Sequence, residues 1–309
     1  MTSRTTWDKL PTPRAPQPLI TLAVVATLIL IVTGVMAACG ETGSGDAGGD
    51  QIPHPTGPNE LVLRVETGGG FVPVEYSLTA LPEISIYGDG RVIVTGPVIA
   101  IYPGPALPNL QTAVVSEQTL QAILDAAKEA GLFQNGVDYG RPNITDVGTT
   151  KFTINADNAT FITDVYALGM EEGTSGLSME QQQRRAALDE LRGRLVDITT
   201  FAEEELTWEP YQFTALTVHS IVADPSATAD PDVEPNRLRW PLSDLATAGE
   251  AVQPEGYRRA VIAGDDLEAL RPLLANATQI TLWESAGVQY HLLFRPLLPD
   301  ETLQPTSTG

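Results

Sequence analysis

Cysteine occurs once in these 309 residues, at Cys39, so no internal disulfide can staple the chain and whatever folds must rest on its own core. Basic residues are scarce as well. Eighteen Lys and Arg face 39 Asp and Glu, a formal net charge of -21. Nucleic acid needs a Lys/Arg patch for its phosphates, and an anionic lipid surface needs the same, so neither is expected as a partner of the folded part. Histidine occurs three times, at His54, His219 and His291, with nothing like the HExxH spacing that puts two imidazoles on one helix face. The G-x-S-x-G elbow, the phosphate loop and the dinucleotide loop are missing too. Gly43-Ser44-Gly45 and Gly68-Gly69-Gly70 fit none of those spacings. No catalytic residue, metal ligand or cofactor is therefore nominated. Carboxylates are so numerous that an envelope hydrolase using an Asp/Glu pair stays open as an alternative.

What is present begins at the N-terminus. A basic head (Arg4, Lys9, Arg14) is followed by an apolar run over 19–38 and then by Met36-Ala37-Ala38-Cys39-Gly40. This order resembles the lipobox of bacterial lipoproteins, with Met36 where leucine is commoner. The resemblance implies diacylation of Cys39 and cleavage of the signal before it. It also implies a protein anchored to the cell membrane on the extracytoplasmic side. An uncleaved N-terminal helix is the alternative, since about 20 apolar residues can span a bilayer. Either way the basic head stays inside and the remainder lies outside. Two acyl chains hold stably where one holds marginally, at about 0.8 kcal/mol per buried CH₂.

The expected organisation is a signal or anchor over 1–38, then an acylated Cys39 and flexible linker over 39–60. Two α+β modules follow, over 61–205 and 206–299, and a disordered tail over 300–309. The linker rests on Gly43, Gly45, Gly48 and Gly49 followed by Pro53, Pro55 and Pro58, with His54 read as solvated. Antiparallel sheets, each packed by one or two helices, are expected in both modules.

In the first module, strands are expected over 61–65, 72–78, 84–87 and 91–94, with Gly88-Asp89-Gly90 as a hairpin turn. Ser116 caps a helix carrying Leu120, Ile123, Leu124 and Ala127, which ends at Gly131. A hairpin follows over 151–167, and Ser178-Met179-Glu180-Gln181 has the form of a capping box. In the second module, strands are expected over 213–222 and 238–242 on either side of an acidic loop over 224–236. A helix from Gly264 or Asp265 and a hairpin around Ser285-Ala286-Gly287 complete it. Helix-then-hairpin thus occurs twice; duplication would explain it, and so would the frequency of this arrangement in α+β proteins. In the acidic loop, Asp224, Asp230, Asp232 and Glu234 lack the EF-hand spacing and read as solvated rather than as a calcium site.

Three soft segments are similar to those of uncharacterised lipoproteins of actinobacterial type: Ile144-Thr145-Asp146 with Thr149-Thr150, Tyr166-Ala167-Leu168-Gly169, and Arg295-Pro296-Leu297-Leu298-Pro299. That family implies no chemistry. The first module also resembles emfourin-type inhibitors of metalloproteases, through Gly69-Gly70-Phe71 and the helix, hairpin and helix that follow; this implies protease inhibition without naming an inhibitory residue.

Candidate binding residues are Tyr139, Arg141, Asn143 and Asp146, in a loop that mixes an aromatic, a guanidinium and acids. Candidate interface residues are Arg237, Arg239 and Trp240, and Tyr257, Arg258 and Arg259, where Arg stands beside an aromatic. The expected function is a binding or interaction module at the cell envelope. Its partners are the membrane, through lipid on Cys39, and an unidentified envelope protein or small ligand.

Overall fold

The first lobe is one antiparallel sheet backed by helices. The computed structural model describes residues 51–170, 176–224 and 233–301. The strands are β1 (Leu61–Gly68), β2 (Ile84–Tyr87), β3 (Arg91–Thr95), β4 (Leu110–Val114), β5 (Thr149–Ala156), β6 (Ala159–Tyr166) and β7 (Glu209–Pro210), in the order β6-β5-β1-β2-β3-β4-β7. The β2–β3 hairpin pairs Ile84 with Val94, as its Asp-Gly turn requires. The β5–β6 hairpin turns on Asp157 and Asn158, both at positive φ, which Asp and Asn tolerate better than most residues.

Two long helices cover one face of that sheet, α2 (Glu117–Glu129) and α3 (Met179–Val196). Ser116 Oγ accepts the Thr119 amide to start α2. The Ser178–Gln181 capping box starts α3, with Ser178 Oγ accepting the Gln181 amide and Gln181 Oε1 accepting that of Ser178. Leu120, Ile123 and Leu124 from α2, with Leu188, Leu191 and Leu195 from α3, bury their stripes in one core with Phe152 and Ile154 of β5.

The second lobe holds β8 (Ala215–Val222), β9 (Arg237–Arg239), β10 (Glu250–Val252), β11 (Tyr257–Ala263), β12 (Leu282–Ser285) and β13 (Val288–Pro296). Their order is β10-β11-β8-β13-β12-β9, antiparallel except for β9 beside β12. Helix α4 (Gly264–Leu274) lays Leu267, Leu270 and Leu274 on one face, against Trp283 and Phe294. Trp283 meets Trp240 and Phe294 edge-on, with ring centroids 5.8 and 5.7 Å apart. The fold is α+β, with two sheets. Helix-then-hairpin does recur, but β5, the first strand of its hairpin, pairs inward with β1, whereas β13, the second of its own, pairs inward with β8.

Several expectations change. Residues 72–78, read as a strand, contain a short helix instead, α1 (Val74–Thr79), which buries none of its residues. β1, the strand this segment follows, already has both neighbours, β2 and β5, so no place beside it is left for a further strand. Residues 51–60, read as linker, lie against the first lobe. Ile52 is buried, and its backbone N–H and C=O both bond the Gln121 side chain. The Pro53 carbonyl accepts the Asp157 amide, and the His54 imidazole is buried between the Pro55 carbonyl and Glu117. Prolines that read as spacer lose little entropy on ordering, so a short apolar anchor suffices.

The first sheet also runs past the expected boundary at 206, because β7 pairs with β4. Strands β4, β10 and β11 were not expected. At the C-terminus Asp300 and Glu301 are fixed by Arg64 and Arg295, while 302–309 lie outside the described residues. A strap over 297–301 thereby joins the lobes: Leu298 is buried with Tyr87, Ile93 and Leu110, and the Leu297 amide donates to the Ala215 carbonyl.

Candidate functional site

An apolar groove of about 980 Å³ lies between the lobes. One wall is α1 with Pro73 before it, the other is the loop joining β3 to β4, and the floor is Leu292, Leu293 and Phe294 of β13. Neither wall is held by a core of its own. The Arg295 Nε–H donates to the Ala80 carbonyl at the end of α1 (2.8 Å), and the Tyr257 hydroxyl donates to Glu75 (3.1 Å). Burial raises the pKa of Tyr257, and the Glu75 carboxylate raises it further, so the phenol keeps the proton it donates.

The β3–β4 loop is strapped at both feet. The Gly96 amide donates to the Asn109 carbonyl (2.7 Å). On the far side the Ala106 amide bonds the Ala277 carbonyl (3.0 Å), and the Gln279 amide bonds the Gly104 carbonyl (2.9 Å). The tip between these feet is Val98-Ile99-Ala100-Ile101-Tyr102. Val98, Ile99, Ile101 and Tyr102 are 67, 66, 56 and 62% exposed. Phe71, ahead of α1, is 90% exposed, its backbone held by the Asp146 carbonyl. Burying one such side chain stabilises by about 1.5–3 kcal/mol, a contribution this cluster forgoes while it stands in water.

The polar groups of the lining are mostly spent internally. Glu75 is held by Tyr257, the Thr79 hydroxyl donates to the Glu75 carbonyl, and Asn109 Nδ2 donates to the Pro97 carbonyl. Pro73, Pro97, Pro105 and Pro108 have no N–H to offer. Among the described side chains of the lining, the carboxamide of Gln279 and the Tyr76 hydroxyl keep their capacity for a ligand, and no Lys or Arg lines the groove.

No protein-family model, curated protein or solved structure matches the chain. Chemistry therefore has to be read from the residues. Among the described residues no group of three His, Cys, Asp or Glu is placed to hold a metal ion, and no helix is long and apolar enough to cross a membrane. The apolar run over 19–38, Cys39, and Asp230 and Asp232 of the acidic loop lie outside the described residues.

The loop over 138–146 is tied down rather than poised. Tyr139 is buried, and Arg141 stacks on the Tyr166 ring at 3.8 Å. The Asp138 carboxylate accepts from the Gly140 amide and from Gln181. Asn143 and Asp146 are exposed, Asp146 at positive φ, and only the backbone of Asp146 reaches toward the groove, through Phe71. The two Arg-aromatic spots are not brought together. Arg237, Arg239 and Trp240 lie at or just after edge strand β9, while Tyr257, Arg258 and Arg259 belong to β11, with three strands between. Trp240 is buried in the core, with its indole N–H on the Ser243 carbonyl. Arg258 caps the carbonyls of Thr247, Ala248 and Gly249, and Arg259 pairs with Glu250.

Sequence reasoning missed the groove lip. The available signal was the run Val98-Ile99-Ala100-Ile101-Tyr102 bounded by Pro97 and Pro103, an apolar segment that prolines bar from an interior strand.

Proposed function

We propose that this protein is a lipid-anchored extracytoplasmic binding module, held to the membrane through Cys39, with the apolar groove as its binding site. The observation that carries the reading is the aliphatic lip at 98–102, kept in water over a concave apolar floor. The lipobox-like order around Cys39 supports the location. The strongly acidic surface fits an exported protein that stays apart from its copies.

A carboxylate-pair hydrolase draws less support, because the groove lining has one carboxylate, Glu75, already engaged by Tyr257. The emfourin-like layout names no residue and stays a weaker alternative. Two measurements test the proposal. Cys39→Ala should abolish palmitate labelling and slow signal cleavage; a variant that still labels removes the anchor. In-cell crosslinking from the lip should capture a ligand or an envelope partner, and Ile99→Asp with Ile101→Asp should abolish capture. Capture that ignores those substitutions places binding elsewhere.

A further inference from the structure

We propose that the groove between α1 and the β3–β4 loop holds the hydrocarbon chain of a membrane lipid with an uncharged headgroup. This rests on the binding reading above and names its ligand. A buried peptide strand brings one N–H and one C=O per residue that must be satisfied. The side chains of these walls satisfy few of them, because Glu75, Thr79 and Asn109 are already bonded and Pro73, Pro97, Pro105 and Pro108 carry no N–H. Hydrocarbon makes no such demand. The volume, about 980 Å³, stands at the top of the roughly 300–1,000 Å³ range of small-molecule sites and far above the needs of one docking side chain.

Charge selects the headgroup. The lining has no cation, its one carboxylate is Glu75, and the chain as a whole carries -21. An anionic head would meet repulsion with no counter-charge, whereas an uncharged one can hydrogen-bond the Gln279 side-chain carboxamide or the Tyr76 hydroxyl.

Chain length permits loading from the bilayer. Ile52 packs at the end of the first sheet marked by Gly88 and Asp157, and the groove walls leave from the opposite end, beyond Gly68 and Thr95. The eight residues of β1 put about 26 Å between those ends. Thirteen peptide units separate Cys39 from Ile52, a contour of at most about 45 Å. The anchored domain can therefore turn its groove to the membrane that holds it, or away from it.

The test uses the full chain, made in a bacterium that acylates exported lipoproteins and fed a fatty acid bearing a diazirine and an alkyne. After irradiation, light-dependent adducts should map to 71–80 or 97–109, with the mass of an intact uncharged lipid. They should be separate from the light-independent acyl group on the Cys39 peptide. Ile99→Asp with Ile101→Asp should lower adduct yield at least fivefold. Ile162→Asp, exposed on β6, should leave it unchanged, with circular dichroism checking that all variants fold. Label confined to the Cys39 peptide, adducts of free fatty acid or anionic phospholipid alone, or an undiminished yield in the lip variant would overturn the proposal. A second arm places a photoreactive amino acid at Ile101. A protein-sized crosslink without lipid overturns the lipid but keeps the groove as a binding site; no crosslink of either kind overturns both.

Discussion

Arg64 and Asp300 stand 236 residues apart in the chain and 2.8 Å apart in the fold. Asp300 Oδ1 also accepts the Tyr87 hydroxyl at 2.8 Å, and Arg64 Nε donates to Ser85. Both charged side chains are largely buried, and burial raises the Tyr87 pKa well above its ordinary value. This latch closes the C-terminal strap over the face of the first sheet that α2 and α3 leave bare.

Removing one partner of a buried pair leaves the other charged and desolvated. Asp300→Ala should therefore cost about 2–4 kcal/mol, allowing for the partial exposure of both groups. A chain ending at Pro299 should lose a similar amount. Urea denaturation measures both, and a loss below about 0.5 kcal/mol in each would show that the strap does not hold the lobes.

The segment over 51–60 should behave as part of the domain. A Cβ at Gly88 would come within 2.5 Å of the Pro55 carbonyl oxygen. Gly88→Ala should push that segment off and cost about 1–3 kcal/mol, and Ile52→Ala should cost about 2 kcal/mol. Limited proteolysis should then cut within 51–60 in the Gly88 variant and spare the parent. Equal cutting in both would return the segment to a linker role.

His219 predicts acid sensitivity. It is 5% exposed, its Nδ1 has no hydrogen-bond partner, and burial lowers its pKa to about 4, with Arg259 and Arg295 adding to the shift. The unfolded imidazole titrates near 6.5. The neutral folded form is fully favoured above pH 6.5, and this contribution is lost as pH falls from 6.5 to about 4, by up to about 3 kcal/mol. His219→Leu should flatten that part of the stability profile relative to the parent, which carries the same carboxylates. Parallel profiles between pH 7 and pH 4 would show that His219 is not the group responsible.

The loop over 138–146 should prove separable from binding. Arg141→Ala removes a cation–π contact with Tyr166, worth about 0.5–1 kcal/mol at an exposed site. The lip crosslink should be unaffected. A loss of crosslinking without a loss of stability would move the site from the groove to this loop.

Local patterns were legible where one stretch of chain supplied its own signal. The capping box at Ser178 and Gln181, the Ser116 cap, the Leu120–Leu124 stripe and the turns at Asp89-Gly90 and Ala286-Gly287 all formed as read. Strand β11 escaped notice because its inward partner, β8, lies far along the chain, and β10 because it is a three-residue edge strand hung on β11; Val74 to Thr79 alternates like a strand in the absence of a neighbour to pair with. Of the residues nominated for binding, Tyr139, Trp240 and Tyr257 are buried, since an aromatic beside an arginine has the same composition in a core as at an interface.

The sequence by itself determined the acidic character and the absence of a disulfide framework, which are totals over the chain, and the α+β class, caps and turns, which depend on residues within a few positions of one another. Only the tertiary structure decided that 51–60 is domain rather than linker, that Asp300 latches onto Arg64, and that α1, the lip at 98–102 and β13 enclose one groove. Those outcomes depend on which distant segments compete for the same sheet edge and buried face, and periodicity along the chain carries no record of that competition.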